Sequence, residues 1–410
     1  MRNSLAPVLR RLLLPPRTTV CVLSLCAVAA GGFAQAPPVH GADPDDGRPG
    51  GVVAPALPAG VPAARPAAPP RIAPYASEAA SVPFAQRFHA VQHGGITRAA
   101  NTSITCRGPA PTPSAVSCAD ARDGRAAAND DFDMFYTDVD SDPNTYNSSR
   151  GELRAPAGAK VSYARLYWGG NLLVGEQKPA RDNGRVLVAE PGGSYKEVLA
   201  DSVVGHRIAG GADAFQASAD VTGLVRSGGT GLWTVAQVNV AMGHSQAGAW
   251  GGWTLVVAYE RASEPLRQLS LWDGFQYLGE SPNDAALRLD GAAAPAGARG
   301  QAGFVVYNGD TGTSGDALTL SVGRRAAATL SGPGNPAGDL FNSTVTEPGT
   351  SQPRRDPAHT GTLGYDSDVL ELGEAVADGG GRLDLRLTAE RDAAWAGVLF
   401  LAVETDTDAE

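Results

Sequence analysis

Three groupings of side chains in this sequence are of types and spacings that could do chemistry. The first is Gly243-His244-Ser245-Gln246-Ala247-Gly248, whose outline is that of a nucleophile elbow, the turn that presents a serine for acyl transfer. An elbow needs a strand, a strained turn and then a helix whose N-terminus helps to stabilise an oxyanion. Here Ala249-Trp250-Gly251-Gly252 and a second strand-like run follow, the fifth motif position is Ala247 rather than glycine, and the only downstream histidine is His359. A strand, a polar turn and another strand are therefore expected at Ser245. A secreted hydrolase, acting as an esterase through Ser245 or as a glycosidase through a carboxylate pair, is the alternative, although nothing in the spacing singles out such a pair.

The second grouping is oxygen-rich. Asn129, Asp130, Asp131 and Asp133 precede Asp138, Asp140, Asp142 and Asn144, the last four as D-x-D-x-D-x-N. Alternating carboxylates on an irregular loop suit a hard cation, so Asp138, Asp140, Asp142 and Asn144 are the residues expected to hold Ca2+. The pattern departs from an EF-hand, because Pro143 replaces the turn glycine and Ser149 stands where a bidentate glutamate is needed. The competing reading is an acidic turn closed by its own Asx hydrogen bonds. Two smaller clusters, Asn308 with Asp310 and Asp316, and Asp366 with Asp368, read as turns. Nitrogen and sulfur ligands offer less: His40, His89, His93, His206, His244 and His359 form no metal-binding motif, and Gly94-Gly95 after His93 point to a loop.

The third grouping is aromatic. Trp168, Trp250, Trp253 and Trp272, with Tyr167, could stack on sugar rings, but in a chain with few aromatics such residues belong more often to the core. Trp250, beside glycines in a loop, is the one expected to be exposed and to contact a ligand.

These residues need a framework, and the N-terminus says where it is built. Arg2, Arg10, Arg11 and Arg17 form a basic region, Val20 to Ala30 an apolar run, and Ala34-Gln35-Ala36 a small-x-small cleavage pattern, so residues 1–36 read as a signal peptide. Arg10-Arg11 are compatible with a twin-arginine route, and Leu25 before Cys26 argues against a lipoprotein. No later run is long enough for a membrane span, which needs about 20 apolar residues. Cys106 and Cys118 are the two cysteines left beyond the leader, and in an oxidising compartment they are expected to pair across RGPAPTPSAVS. The formal charge is −10, and loss of the four leader arginines, with no acidic residue among the first 36, takes it to −14. Nucleic acid and anionic membranes are poor partners for such a chain.

Residues 37–80 hold eleven prolines, with alanine and glycine filling most of the rest, and read as a disordered linker. From about Pro83 short β-branched and aromatic runs alternate with turn residues. The best are Val161 to Trp168, Leu232 to Ala241, Trp253 to Tyr259, Phe304 to Tyr307, Ala317 to Val322, Leu383 to Thr388 and Trp395 to Val403. Leu383, Leu385 and Leu387 alternate with polar residues and predict one buried face, whereas WTLVVAY is apolar throughout and predicts a strand covered on both sides. The only helical signal is Asp220 to Val225, a single turn capped by Asp220 and interrupted by Gly223. The fold class expected is all-β: two packed, jelly-roll-like β-sandwiches over residues 81–265 and 266–405, divided near Pro265.

The segments GELRAPAGAKVSYARLYWGGN, ADVTGLVRSGGTGLWTVAQV, GGWTLVVAYE, GDTGTSGDALTL and LGYDSDVLEL together resemble an uncharacterised β-rich domain. It occurs in actinobacterial, other bacterial and archaeal secreted or cell-surface proteins, often ahead of repeated sandwich modules. The resemblance spans most of positions 84–405. It implies a non-catalytic binding or structural role in adhesion or the envelope, with a glycan or an envelope component as partner, and carries no catalytic residues over. The chain ends at Glu410 without a repeat array, sortase signal or hydrophobic tail, so how such a protein is anchored is left open.

Overall fold

A computed structural model describes residues 81–109, 116–279, 284–349, 352–379 and 381–406, all within one compact unit, Ile72–Glu410. The expected signal peptide and linker lie outside the described residues. In chain order the first strands are β1 (Ser81–Thr102), β2 (Ile104–Pro109), β3 (Phe132–Tyr136), β4 (Ser148–Leu153) and β5 (Lys160–Asn171). Next come β6 (Arg185–Ala189), β7 (Lys196–Leu199), β8 (Ser202–Ala209), β9 (Ala212–Asp220) and β10 (Gly231–Ala236). The long central pair is β11 (Gly251–Glu260) and β12 (Leu266–Tyr277), followed by β13 (Asp284–Ala293), β14 (Gly300–Tyr307), β15 (Ala317–Val322) and β16 (Ala328–Thr329). The last are β17 (Arg355–Asp356), β18 (Tyr365–Glu371), β19 (Arg382–Thr388) and β20 (Trp395–Glu404). Two short helices accompany them, α1 (Cys118–Arg122) and α2 (Thr222–Gly228), so the chain is all-β.

Nine strands form one antiparallel sheet in the order β18-β14-β20-β12-β1-β11-β5-β9-β8. It is flanked by a five-stranded sheet, β17-β4-β10-β6-β7, and a four-stranded one, β13-β19-β15-β16, with β2-β3 as a separate pair. Three cores separate these layers. One half of the long sheet meets the five-stranded sheet through Trp168, Phe215, Trp253 and Leu255 against Val186, Val188, Trp233 and Val235. The other half meets the four-stranded sheet through Phe304, Leu399 and Leu401 against Leu318, Leu320, Leu383 and Leu385. The third core joins the two halves to each other, with Ile96, Tyr167 and Val256 on one side and Leu271, Phe275, Val398 and Phe400 on the other.

That arrangement explains why β11 and β20 carry apolar residues on both faces, with the buried Thr254 hydroxyl taken up by those of Tyr365 and Ser367. Along β11, Trp253, Leu255 and Val257 enter one core while Val256 and Ala258 enter another. Along β20, Leu399, Leu401 and Val403 face the four-stranded sheet while Val398, Phe400 and Ala402 face the opposite half of the long sheet. Successive side chains on a strand point to opposite sides, so a strand lying between two cores has no face left for polar residues. Outer strand β19 keeps the alternation the sequence predicts: Leu383, Leu385 and Leu387 are buried, and Arg386 is exposed.

The division expected at Pro265 is not a break between separate units. Strand β1 is continuous across it, with Gly94–Thr102 paired to β11 and Ser81–His93 paired to β12. Residues 81–93, assigned to the first sandwich, therefore hydrogen-bond with the second part of the chain, while β17, assigned to the second, pairs with β4. The changeover sits at Gly94, where a Cβ would lie 1.9 Å from the Tyr259 carbonyl oxygen, so only glycine lets the backbones approach this closely. His89 and His93 lie in this strand rather than in the expected loop, and they bond separately to the Ser270 hydroxyl and the Glu264 carbonyl.

Two local expectations are also revised. The run to Ala241 leaves the sheet after Ala236, because Gln237 adopts a left-handed φ of 64° and the Asn147 side chain then holds Val238 by both N–H and C=O. The turn after Asp220 extends into a seven-residue helix that tolerates Gly223 and ends at Gly228, with Asp220 accepting the Thr222 N–H at 2.9 Å. Cys106 and Cys118 are disulfide-bonded, their Cα atoms 5.7 Å apart, which ties β2 to α1. Among the described residues no helix is long and apolar enough to cross a membrane.

Candidate buried carboxylate site

The densest grouping of titratable side chains lies where β18 and the loops of β14 and β20, neighbours at one edge of the long sheet, meet the acidic stretch around Asn129. After β14, Asn308 takes a left-handed φ of 66° and turns the chain into the loop that carries Asp310 and Asp316. Strand β18 contributes Asp366 and Asp368, two residues apart and so on one side of the strand. The turn before β20 contributes Asp392, whose Oδ2 accepts the Asp310 N–H at 2.9 Å. From far upstream Asn129 arrives in a 3-10 turn, donating its backbone N–H to Asp310 Oδ1 at 3.1 Å and its amide to Asp310 Oδ1 and Asn308 Oδ1.

These carboxylates are held mainly by backbone donors. The Thr344 N–H binds Asp366 Oδ1 at 3.0 Å, the Thr346 N–H binds Asp368 Oδ1 at 2.7 Å, and the Phe341 N–H binds Asp316 Oδ2. Donors are nevertheless too few: Asp366 Oδ2, Asp316 Oδ1 and Asn129 Oδ1 are buried without a hydrogen-bond partner. Gly309 passes so close that a Cβ on it would lie 2.5 Å from Asp366 Oδ2.

Burial raises the pKa of every one of these acids. It lifts Asp310, Asp366, Asp368 and Asp392 above the usual carboxylate range, with repulsion from neighbouring carboxylates adding to the effect at Asp310, Asp366 and Asp392, and lifts Asp316 to about 6. Positive charge reaches only one end. Buried Arg98 donates to the Thr346 carbonyl at 2.6 Å and lowers Asp368, and Arg355 lies nearby, itself pushed down to about 10 by burial and by Arg98. Among the described residues no ion pair joins Asp310, Asp316, Asp366 or Asp392 to a basic side chain. Asp130 and Asp131 add further repulsion at Asp310.

Carboxylates arranged this way can share protons, hold a hard cation, or act as an acid–base pair if a substrate reaches them. A cleft of about 700 Å³ is lined by Leu153, Lys160, Val225, Arg226 and Tyr259, and neither it nor the clefts at Arg267 and at Pro333 contain any of the five acids.

The residues singled out from sequence fall elsewhere. Asp138, Asp140, Asp142 and Asn144 form a loop closed on itself: Asp138 accepts from Ser148, Asp140 from the Asp142 N–H and Tyr195, and Asp142 from the Asn144 N–H. The arrangement has the Asx hydrogen bonds of the acidic turn. Among the described residues no three His, Cys, Asp or Glu side chains stand around one point as metal ligands would. Ser245 sits in a turn closed by the Gly248 N–H, with β11 and no helix following, and His244 points to the Asp130 carbonyl.

Trp250, expected to be exposed, is fully buried. Its indole N–H donates to the Ala247 carbonyl at 3.1 Å and its ring lies 6.0 Å from that of Tyr307. The glycines beside it make room for the ring rather than mark a surface loop. All six tryptophans are buried, so none offers a stacking face to a sugar.

Of the acidic site, sequence reading found Asn308, Asp310 and Asp316, and Asp366 with Asp368, as two unrelated turns, and Asn129 as part of a third. Asp392 was missed, being a lone aspartate in RDAAW with no pattern around it.

Comparison with known proteins gives no family. No family model matches the chain, and no curated protein matches it. Among solved structures it is similar to the major capsid protein P2 from bacteriophage PM2, at 13% identity over 66% of this chain and 98% of that one, with a TM-score of 0.18. It is also similar to the STIV MCP, at 9% identity over 63% of this chain and 92% of that one, with a TM-score of 0.19. Superpositions this loose carry no argument about function.

Proposed function

We propose that the chain is a secreted or cell-surface protein with a structural and adhesive role in the envelope, and that it works without a catalytic centre. The observation that carries this reading is the use to which the reactive side chains are put. Ser245 lies in a strand–turn–strand connection, and Asp316, Asp366, Asp368 and Asp392 are buried and line none of the clefts at Tyr259, Arg267 and Pro333. The leader-like first 36 residues and the Cys106–Cys118 bond support export, since disulfides persist in oxidising compartments. Three cores stacked between four layers of sheet support a load-bearing part rather than a flexible one. The partner class is an envelope component. Because the tryptophans are buried, a glycan would have to be held through polar groups rather than by indole stacking.

The test is a screen of the purified full chain against ester and glycoside substrates, with Ser245→Ala as control, alongside light scattering and binding to envelope preparations. The reading expects no turnover and either self-association or retention on the envelope. Turnover abolished by Ser245→Ala, or by a change at one of the buried acids, would sink it.

A further inference from the structure

The acidic site is chemically unfinished. Four carboxylates, Asp316, Asp366, Asp368 and Asp392, are buried together with half-buried Asp310 beside them, and positive charge from Arg98 and Arg355 reaches only the Asp368 end. Taking ionised carboxylates out of water without a counter-charge costs several kcal/mol each, so something else must neutralise them. A second observation bears on what that is. Asp366 is fully buried, its Oδ1 engaged by the Thr344 N–H, yet its Oδ2, packed against the Gly309 backbone one residue from Asp310, has no donor. Asp316 Oδ1 and Asn129 Oδ1 are left in the same condition. Acceptors without donors in an interior are what a bound cation satisfies.

We propose that this cluster binds one hard divalent cation of the calcium class, with the buried Asp366 carboxylate as its anchoring ligand. The donor set consists of carboxylate, amide and main-chain oxygens with no histidine or cysteine, which selects against zinc and other softer metals. Because no three of the carboxylates already stand around one point, the ion takes two of them and completes its shell from the main chain and water. The site is distinct from the D-x-D-x-D-x-N loop, in which Asp138, Asp140 and Asp142 each already accept a hydrogen bond from within the loop or its flank.

The experiment uses the full chain, stripped with chelator and exchanged into buffer at pH 7.5. Ca2+, and in parallel Mg2+, is titrated by calorimetry, and the melting midpoint is read with and without the ion. The expected result is one ion per chain and a midpoint raised by several degrees. Asp366→Asn should weaken binding by about tenfold or more, as loss of a group supporting a metal site does, while Asp140→Asn in the surface loop leaves it unchanged. Asp392→Asn and Asp316→Asn serve if Asp366→Asn does not fold. No saturable binding and no midpoint shift with either ion would overturn the proposal and leave protons as the neutralising species. So would an effect lost in Asp140→Asn and kept in the buried-site variants.

Discussion

Asp310 and Asp392, 82 positions apart in the chain, are joined by a hydrogen bond from the Asp310 N–H to Asp392 Oδ2 at 2.9 Å, and burial together with the Asp310 carboxylate raises the pKa of Asp392. The contact fastens the loop after β14 to the turn before β20, two neighbouring strands of the long sheet. It also places two like charges where water is scarce. The fold therefore contains an electrostatic debt that its hydrophobic layers must carry unless protons or a cation relieve it.

The aromatic layer between β5, β11 and the five-stranded sheet makes one stability prediction. Trp253 lies opposite Trp168 in the register of β11 and β5, and its indole N–H donates to Ser149 Oγ at 2.9 Å. Trp253→Ala should cost about 3–5 kcal/mol through lost burial and the cavity left behind, measured by denaturant unfolding. A cost under about 1 kcal/mol would contradict the packing described.

Trp250→Ala should behave in the same way. Its effect should appear as lowered stability, with retention on envelope preparations unchanged at temperatures where the variant is folded. Loss of retention without loss of stability would return Trp250 to the surface.

The disulfide fixes a proline-rich loop of eleven residues between its two cysteines. Cys106→Ser with Cys118→Ser should lower stability by about 3 kcal/mol, mainly by freeing the unfolded chain. In the purified protein both cysteines should resist alkylation until a reductant is added. Free thiols there would contradict the oxidised pair.

Ser245→Ala should be close to neutral, within about 0.5 kcal/mol. The Ser245 hydroxyl is buried without a partner, so its removal leaves no donor or acceptor stranded. A large destabilisation would mean that the hydroxyl holds a group not seen here.

Much of this fold is written locally. The unbroken apolar run of WTLVVAY requires cover on both sides, and β11 has it. The leucine alternation of Leu383 to Leu387 requires one wet face, and β19 has it. What local pattern could not supply is convergence. Asn129, Asp310, Asp366 and Asp392 come from four separate segments, and no spacing in the chain relates them. Trp250 was misread for a related reason: glycines beside an aromatic signal close backbone approach as readily as exposure, and only the positions of Tyr307 and Gly364 decide between the two. The long strand β1 hid the link across Pro265, because its two halves carry no mark of having different partners.

The buried acids are tested most directly by the melting midpoint of the full chain, in chelator, from pH 5 to pH 8. Their folded pKa values are raised, so between the ordinary carboxylate range and those values the folded state binds more protons than the unfolded one, and stability falls as pH rises. Acids whose pKa is lowered, such as Glu152, Glu176 and Asp201, act in the opposite sense but only below about pH 4 to 5. His359, lowered by burial, also acts in the opposite sense below about pH 6.5, so the midpoint should drop by several degrees from there toward pH 8, with a shallower drop in Asp392→Asn. A midpoint that is flat or rises across this range would show that the five carboxylates are not enclosed together.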